Sequence, residues 1–253
     1  MPDDHFGEDV AAHYDETLGE MAEPAAVART VAFLAEEARG GPALEFGVGT
    51  GRIALPLSAA GVDVHGIDLS TAMLARLRAK PSAQRVGVTQ GDFATARAGR
   101  LFTLAYLVFN TIGNLTTQEQ QVDCFGNAAA HLEPGGRFVI EVGVPQLQRL
   151  PPGETHRVFA ATPTHFGVDE YDLVEQGLVS HHYHREGEAW RYEAVPLRYV
   201  WPAELDLMAR LAGLRRVARY ADWDRTPFTA DSTKHVSVWE KAPSMVSPEA
   251  GAV

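Results

Sequence analysis

The run Glu45-Phe-Gly47-Val-Gly49-Thr-Gly51-Arg52 constrains this chain more than any other segment. Ala43 to Val48 is apolar apart from Glu45 and glycine and reads as a buried strand, and Arg52 to Ala60 carries Ile53, Leu55 and Leu57 and reads as a helix. Glycines between a strand and a helix let the backbone turn sharply and let a ligand approach closely. Three alternate glycines exceed what a plain strand-to-helix turn needs, so ligand binding ranks above an empty turn. The dinucleotide spacing G-x-G-x-x-G fails, because Arg52 stands where its third glycine would fall, and a G-x-x-x-x-G-K-[ST] phosphate loop is absent. Glu45 would repel a pyrophosphate and favour a cationic ligand, of which a sulfonium carrying an α-amino group is one.

The same alternation continues along the chain. Helices are expected over about Val10–Thr17 and from Pro24 to the Gly40-Gly41-Pro42 stop. A second strand, Val62–Ile67, ends at Asp68, and Ser70 can cap a helix carrying Met73, Leu74 and Leu77. A third strand is read at about Arg85–Thr89, and a fourth, apolar nearly throughout, at Leu101–Phe109. Thr117 and Gln120 fit a capping box for a helix that buries Val122, Phe125, Ala129 and Leu132. Pro134-Gly135 then turns into a fifth strand at Arg137–Val142. This order predicts a parallel sheet covered by helices.

Residues from about 155 to 200 break the pattern. They are rich in Tyr, His, Val, Phe and Trp, and predict three or four antiparallel strands with Gly187 in a hairpin turn. The α/β pattern resumes with a helix from Pro202 carrying Leu205, Met208, Leu211 and Ala212, closed by Gly213, and with strands at Arg216–Trp223 and His235–Glu240. The expectation is one domain over 1–253: N-terminal helices in 1–40 acting as a lid, a β insertion at 150–200 forming a substrate cap, and a flexible tail at 242–253.

Charge and cysteine content narrow the function. Lys+Arg is 22 and Asp+Glu 33, a net charge of −11, so a phosphate backbone is repelled and nucleic acid is not an expected partner. Cys124 is the one cysteine, which excludes an internal disulfide and a cysteine-rich metal site. No apolar run approaches bilayer length and the opening residues are acidic and polar, so a cytoplasmic protein without membrane association is expected. The basic residues are nearly all Arg, which fits a GC-rich bacterial coding bias. A homodimer is left open.

Acidic residues recur at successive strand ends. Asp68 can accept hydrogen bonds from both hydroxyls of a ribose; capping the next helix is the competing role, and Ser70 is available for that. Gly91-Asp92-Phe93 ends the third strand, where Asp92 could accept from an adenine amino group beside Phe93, or be a turn aspartate next to a core ring. Together with Leu132-Glu-Pro134-Gly135-Gly136-Arg-Phe138, these segments resemble the class I S-adenosylmethionine-dependent methyltransferases, strongly over about residues 40–143. Thr103 departs from that pattern, since many members carry Asp there.

The resemblance implies a Rossmann-like, doubly wound seven-stranded sheet with a reversed last strand, plus the small antiparallel β insertion. It implies S-adenosyl-L-methionine as cofactor, S-adenosyl-L-homocysteine as product, and methyl transfer to an N or O atom of a small-molecule acceptor by in-line displacement. The cofactor residues it implies are Glu45, Gly47, Gly49, Gly51, Asp68, Leu69, Met73, Gly91, Asp92 and Phe93, with Val108, Phe109 and Asn110 beside the methionine portion and Tyr14 on a closing N-terminal helix. An insertion before the penultimate helix is similar to glycine and amino-sugar N-methyltransferases. Two rival readings are an S-adenosylmethionine-binding enzyme that transfers no methyl and a nucleotide-binding regulatory module.

For the acceptor, Asn114, Tyr171, His182 and Tyr192 are the candidate contacts, and Tyr199 and Trp201 are further aromatics of the same stretch. On a strand, His182 and His184 share one face while His181 and Tyr183 share the other. Two imidazoles without a third ligand argue against a metal, so none is expected. An imidazole or carboxylate could act as general base, and an amine bound as its free base needs none. His235 could face the pocket or the surface, and Arg52 is read only as the start of its helix.

Overall fold

In the computed structural model of the protein, residues 6–17 and 23–243 are described; most of the expected tail lies outside them. The strands of the main sheet are β1 (Ala43–Phe46), β2 (Val64–Asp68), β3 (Gly87–Gln90), β4 (Phe102–Leu107), β5 (Leu132–Gly143), β10 (Leu214–Tyr220) and β11 (Lys234–Lys241). Their order is β10-β11-β5-β4-β1-β2-β3. β1 pairs parallel with β2 and β4, β2 with β3, and β4 with β5, whereas β11 runs antiparallel to both β5 and β10. The doubly wound sheet with its reversed last strand is therefore present.

Helices cover both faces, which is why the central strands are apolar on both sides. On one face lie α2 (Pro24–Ala38), α3 (Ala54–Ala59) and α4 (Thr71–Ala79), whose Phe33, Leu34, Leu57, Leu74 and Leu77 are buried against Val64, Leu104 and Val238. On the other lie α5 (Gln118–His131) and α6 (Pro202–Leu211), with Phe125, Ala128, Leu205 and Met208 packed on Phe46, Phe138 and Trp239. Both predicted caps form. Ser70 Oγ accepts from the Met73 amide, and Thr117 and Gln120 exchange both capping-box bonds. Phe102 pairs with Leu132 and Leu104 with Arg137, so Glu133–Gly136 bulges out of β5, with Gly135 at φ 80°. Leu211 departs from the expected buried stripe: it is 75% exposed, because α6 turns its Leu205, Met208 and Ala209 side inward.

The insertion is a separate four-stranded antiparallel sheet in the order β6-β7-β8-β9: β6 (His156–Ala161), β7 (His165–Asp172), β8 (Gly177–Glu186) and β9 (Ala189–Arg198). Gly187 turns the β8–β9 hairpin at φ 66°. The base of this sheet is tied to the domain through Arg198, which is buried and donates to Gln121 Oε1 at 2.6 Å on α5 and to Glu204 Oε1 at 2.7 Å on α6. Gln121 in turn donates to the carbonyls of Ile112, Leu115 and Arg198. This joint fixes the short 3-10 turn Thr111–Asn114 that follows β4.

The expected 1–40 lid divides in two. α2 is a core helix, with Phe33 edge-on to Trp223 and Tyr220, because its apolar stripe needs the sheet. Among the described residues of that stretch, α1 (Glu8–Thr17) is the helix that lies over the glycine loop.

Candidate active site

The loop after β1 is held by backbone and carboxylate. Gly47 and Gly49 adopt φ 69° and 52°, and both remain partly exposed. A Cβ on Gly49 would meet nothing nearer than the Gly47 carbonyl at 4.0 Å, so the loop presents open backbone on that side. A Cβ on Gly47, by contrast, would come within 2.6 Å of Thr111 Cγ2. The loop also needs a glycine outside the motif. A Cβ at Gly66 on β2 would sit 2.5 Å from Val48 Cβ, so the absent side chain there lets Val48 pack down.

Three acidic residues stand at three adjacent strand ends, as expected, but in different environments. Asp68 is half-buried; its Oδ2 accepts from the Gly49 amide at 2.7 Å and its Oδ1 from the Ser70 amide at 2.9 Å. These bonds orient the carboxylate. Asp92 Oδ1 accepts from the Ala94 amide at 2.8 Å. Its segment is clamped from α5: Asn127 donates to the carbonyls of Phe93 and Ala96, and His131 Nε2 accepts from the Ala98 amide. Phe93 is a core ring stacked on Phe46 at 5.9 Å, with its edge beneath Gly47. Met73 is likewise buried, and its amide is committed to the Ser70 cap. Both side chains pack in the core.

Glu45 is corrected most. Its side chain is only 2% exposed, and it accepts from Tyr106 Oη at 2.9 Å and from the Ala54 amide. Burial drives its pKa from 4.5 up to about 8; the Tyr106 bond and the Arg52 charge oppose the rise, and Asp68 adds to it. Glu45 thus lies under the loop, shut away from its open backbone.

α1 closes over this cradle. Thr50 Oγ1 donates to Asp15 Oδ1 at 2.6 Å, Lys80 Nζ pairs with Asp15 Oδ2 at 2.6 Å, and Ser70 Oγ donates to the Phe6 carbonyl at 2.5 Å. Tyr14 shares the field of Arg52, Asp68 and Glu45; burial raises its phenol pKa, partly offset by Arg52. Asp15→Ala should leave global stability within about 1 kcal/mol, since the pair is exposed, yet speed protease cleavage in α1 and weaken cofactor binding several-fold. Limited proteolysis and calorimetry check this; identical digestion and affinity would show that Asp15 does not hold the lid.

Beside the loop opens a cleft of about 460 Å³ lined by Arg29, Arg52, Phe109, Glu141, Trp223 and Lys234 among others. Phe109 and Asn110 both sit in the left-handed region, at φ 63° and 57°, rare for non-glycine residues and doubly so in succession. Glu141 at the end of β5 holds them: Oε2 accepts from the Phe109 amide at 3.0 Å and its carbonyl from the Asn110 amide at 3.2 Å. Asn110 Oδ1 accepts from the Gly143 amide at 2.6 Å. The Arg52 guanidinium lies 5.2 Å from the Phe109 ring centroid, so Arg52 is a site residue and not merely a helix start. Lys234 bridges Asp222 at 3.0 Å and Glu141 at 3.6 Å. Arg52 could have been found in the sequence, as the cation next to the third glycine; Glu141, Asp222 and Lys234 carry no local signal.

The four candidate acceptor contacts do not come together, and none lines the cleft. Asn114 ends the 3-10 turn after β4. Tyr171, edge-on to Tyr199, and His182 share one face of the insertion sheet, linked through Asp169 and Ser180. Tyr192 points to the other face, donating to or accepting from His181 Nδ1 at 2.7 Å, because period-two alternation sends residues 182 and 192 to opposite sides of the β8–β9 register. His235 faces neither pocket nor surface. It is fully buried with Nδ1 2.8 Å from Ser237 Oγ, and burial, with the Arg219 charge, lowers its pKa to about 3. A third imidazole, His165, joins His182 and His184, since the register sets it opposite His184.

An open glycine loop, carboxylates at successive ends of a doubly wound sheet and an adjacent cleft define a nucleoside-binding transferase of the S-adenosylmethionine type. Residues 43–136 match the family described as methyltransferase domain. The CcbJ methyltransferase from Streptomyces caelestis superposes with a TM-score of 0.84 at 39% identity, covering 94% of this chain and 98% of that one. The cypemycin N-terminal methyltransferase of a Streptomyces species is 26% identical over 210 residues, 78% of this chain and 82% of the relative. The S-adenosylmethionine-bound amino pentose methyltransferase CalS10 of Micromonospora echinaspora shares the fold at TM-score 0.67 and 20% identity, covering 92% and 95%. The chain belongs to the class I S-adenosylmethionine-dependent methyltransferases, and S-adenosylmethionine is its methyl donor. The cradle fits that donor: it offers open backbone and carboxylates, suited to ribose hydroxyls and a net positive charge. Among the described residues no helix is long and apolar enough to cross a membrane.

Proposed function

We propose that this enzyme methylates an amino nitrogen of a small polar acceptor, an amino sugar or a peptide amine, seated in the cleft beside Phe109. The observation that carries this reading is the lining of that cleft, where Glu141 and Asp222, already holding the Lys234 ammonium between them, stand next to Trp223 and Phe109 at the edge of the glycine loop. Carboxylates draw in an ammonium, and aromatic faces favour cations. The relatives named an N-terminal methyltransferase and an amino pentose methyltransferase support a nitrogen acceptor over a hydroxyl.

When bound, S-adenosylmethionine supplies a methyl on a positively charged sulfur, open to in-line displacement. The protein's part is alignment, exclusion of water and removal of one proton. Alignment alone is worth on the order of 7–11 kcal/mol. In this reading Asp68 receives the ribose hydroxyls, Gly47, Gly49, Gly51 and Leu69 surround the nucleoside, and Gly91 and Asp92 bound its base. Tyr14, Phe109 and Asn110 flank the methionine end, with Arg52 behind Phe109. The acceptor ammonium competes with Lys234 for Glu141 and Asp222, and one of the two carboxylates takes its proton as the free amine forms.

The test is mass spectrometry of a panel of amino sugars, short peptides and their hydroxyl counterparts incubated with enzyme and S-adenosylmethionine. One methyl gained on nitrogen is the expected result, and turnover of hydroxyl acceptors alone overturns the reading. Asp68→Ala should weaken S-adenosylhomocysteine binding by ten- to a hundred-fold, about 1.5–3 kcal/mol, with the fold intact. Unchanged affinity by calorimetry would remove Asp68 from the ribose site.

A further inference from the structure

The insertion sheet carries a cluster that methyl transfer does not use. β8 places His182 and His184 two residues apart on one face, and the β7–β8 register sets His165 directly opposite His184. One ligand nitrogen from each imidazole lies within 4.8 Å of the others. His165 Nε2 and His182 Nδ1 are 3.1 Å apart, and the rings of His165 and His184 stack at 4.4 Å. All three are partly buried, so they are neither locked in the core nor loose on the surface.

The surroundings fix the chemistry of the central imidazole. Ser180 Oγ donates to the Asp169 carboxylate at 2.8 Å and lies 3.2 Å from His182 Nε2. With its proton given to Asp169, the hydroxyl accepts from His182 Nε2–H, which leaves the Nδ1 lone pair aimed at His165. A carboxylate acting through a second group on the far nitrogen is how metal-ligating histidines are oriented. Phe159 packs edge-on against His182 at 5.2 Å and His165 at 6.0 Å, walling one side.

We propose that His165, His182 and His184 form a binding site for one divalent transition-metal ion, zinc above all, which cross-links β7 to β8 on the appended sheet. Three imidazole nitrogens with a fourth position left to water are a complete zinc ligand set. The ion replaces the proton between His165 Nε2 and His182 Nδ1, and the three near-parallel rings turn about χ2 so that each plane contains it. The site is independent of the methyl-transfer reading and lies outside the cleft.

The experiment is calorimetric titration of tag-free, chelator-washed protein with zinc chloride, alongside cobalt chloride followed by visible absorption. One equivalent at micromolar affinity or tighter is expected, with cobalt d–d bands of a nitrogen-ligated ion. Binding should weaken as pH falls, since protons compete with the ion for the ligand nitrogens. His165→Ala and His184→Ala should each weaken it by more than about 100-fold, and Ser180→Ala by about 10- to 100-fold. His181→Ala, on the opposite face, should not change it. Binding weaker than about 100 μM, a stoichiometry above one, or retention in the His165→Ala/His184→Ala double variant overturns the proposal. Circular dichroism of each variant separates loss of the site from loss of the fold.

Discussion

Replacing Arg198 by alanine should lower the unfolding free energy by about 3–5 kcal/mol at pH 7. The guanidinium is 4% exposed and joins the insertion to two helices through Gln121 and Glu204. Its loss leaves Glu204 with hydrogen bonds from Gln118 and Gln176 but no cation. Burial alone would raise the Glu204 pKa; bonds from Gln118, Gln176 and Arg198, with the Arg198 charge, bring it below 4.5. A depressed folded-state pKa contributes stability that is present above the unfolded value and lost as pH falls through the folded one. The Arg198→Ala variant should therefore also lose part of its acid sensitivity. Adding Glu204→Gln should recover part of the stability, because the uncompensated charge is then gone. Urea unfolding of the single and double variants decides this; a loss under about 1 kcal/mol for Arg198→Ala would mean the joint is not where the insertion is anchored.

Glu45→Gln should raise stability and weaken donor binding at the same time. A carboxyl whose folded pKa is about 8 against 4.5 unfolded holds its proton through neutral pH. The folded state then binds more protons than the unfolded one between those values, so stability falls as pH rises from 4.5 to 8 and is flat above. The amide removes that slope, making the variant more stable by roughly 2–4 kcal/mol near pH 7 and equal to the parent below pH 4.5. A positively charged ligand above the loop favours the ionised carboxylate, so S-adenosylmethionine binding to the parent should release a proton and tighten toward pH 8. The variant should lose this pH dependence and about tenfold in affinity, more for the sulfonium than for S-adenosylhomocysteine. Calorimetry in buffers of different ionisation heat measures the proton directly. A parent that binds without proton release would show that Glu45 is already ionised or does not sense the ligand.

These two residues mark different kinds of legibility. Glu45 was readable as part of a motif, and its preference for a cationic ligand followed from charge alone. Its burial under Tyr106 was not readable, because Tyr106 lies on another strand. Arg198 carried no signal at all, since nothing near it in the chain distinguishes a buried arginine from an exposed one. The same division separates Asp68, marked by its place at a strand end, from Glu141, which gains its role by meeting the backbone of Phe109 across the β4–β5 pair.

What short-range rules decide could be read along the chain: the glycine turn, the Ser70 cap, the Thr117–Gln120 box, the alternation that makes a parallel sheet, and which residues of β8 share a face. Those features depend on neighbours three or four positions away, or on the period of a strand, and survive in any tertiary setting. It took the packed chain to make α2 core and set α1 over the glycine loop, to turn Tyr192 away from Tyr171 and His182, to let Gly66 make room for Val48, and to bring His165 beside His182 and His184. Each of these depends on strand register or on the packing of segments far apart in the chain, where a shift of one residue reverses every side chain and no local pattern records which register is taken.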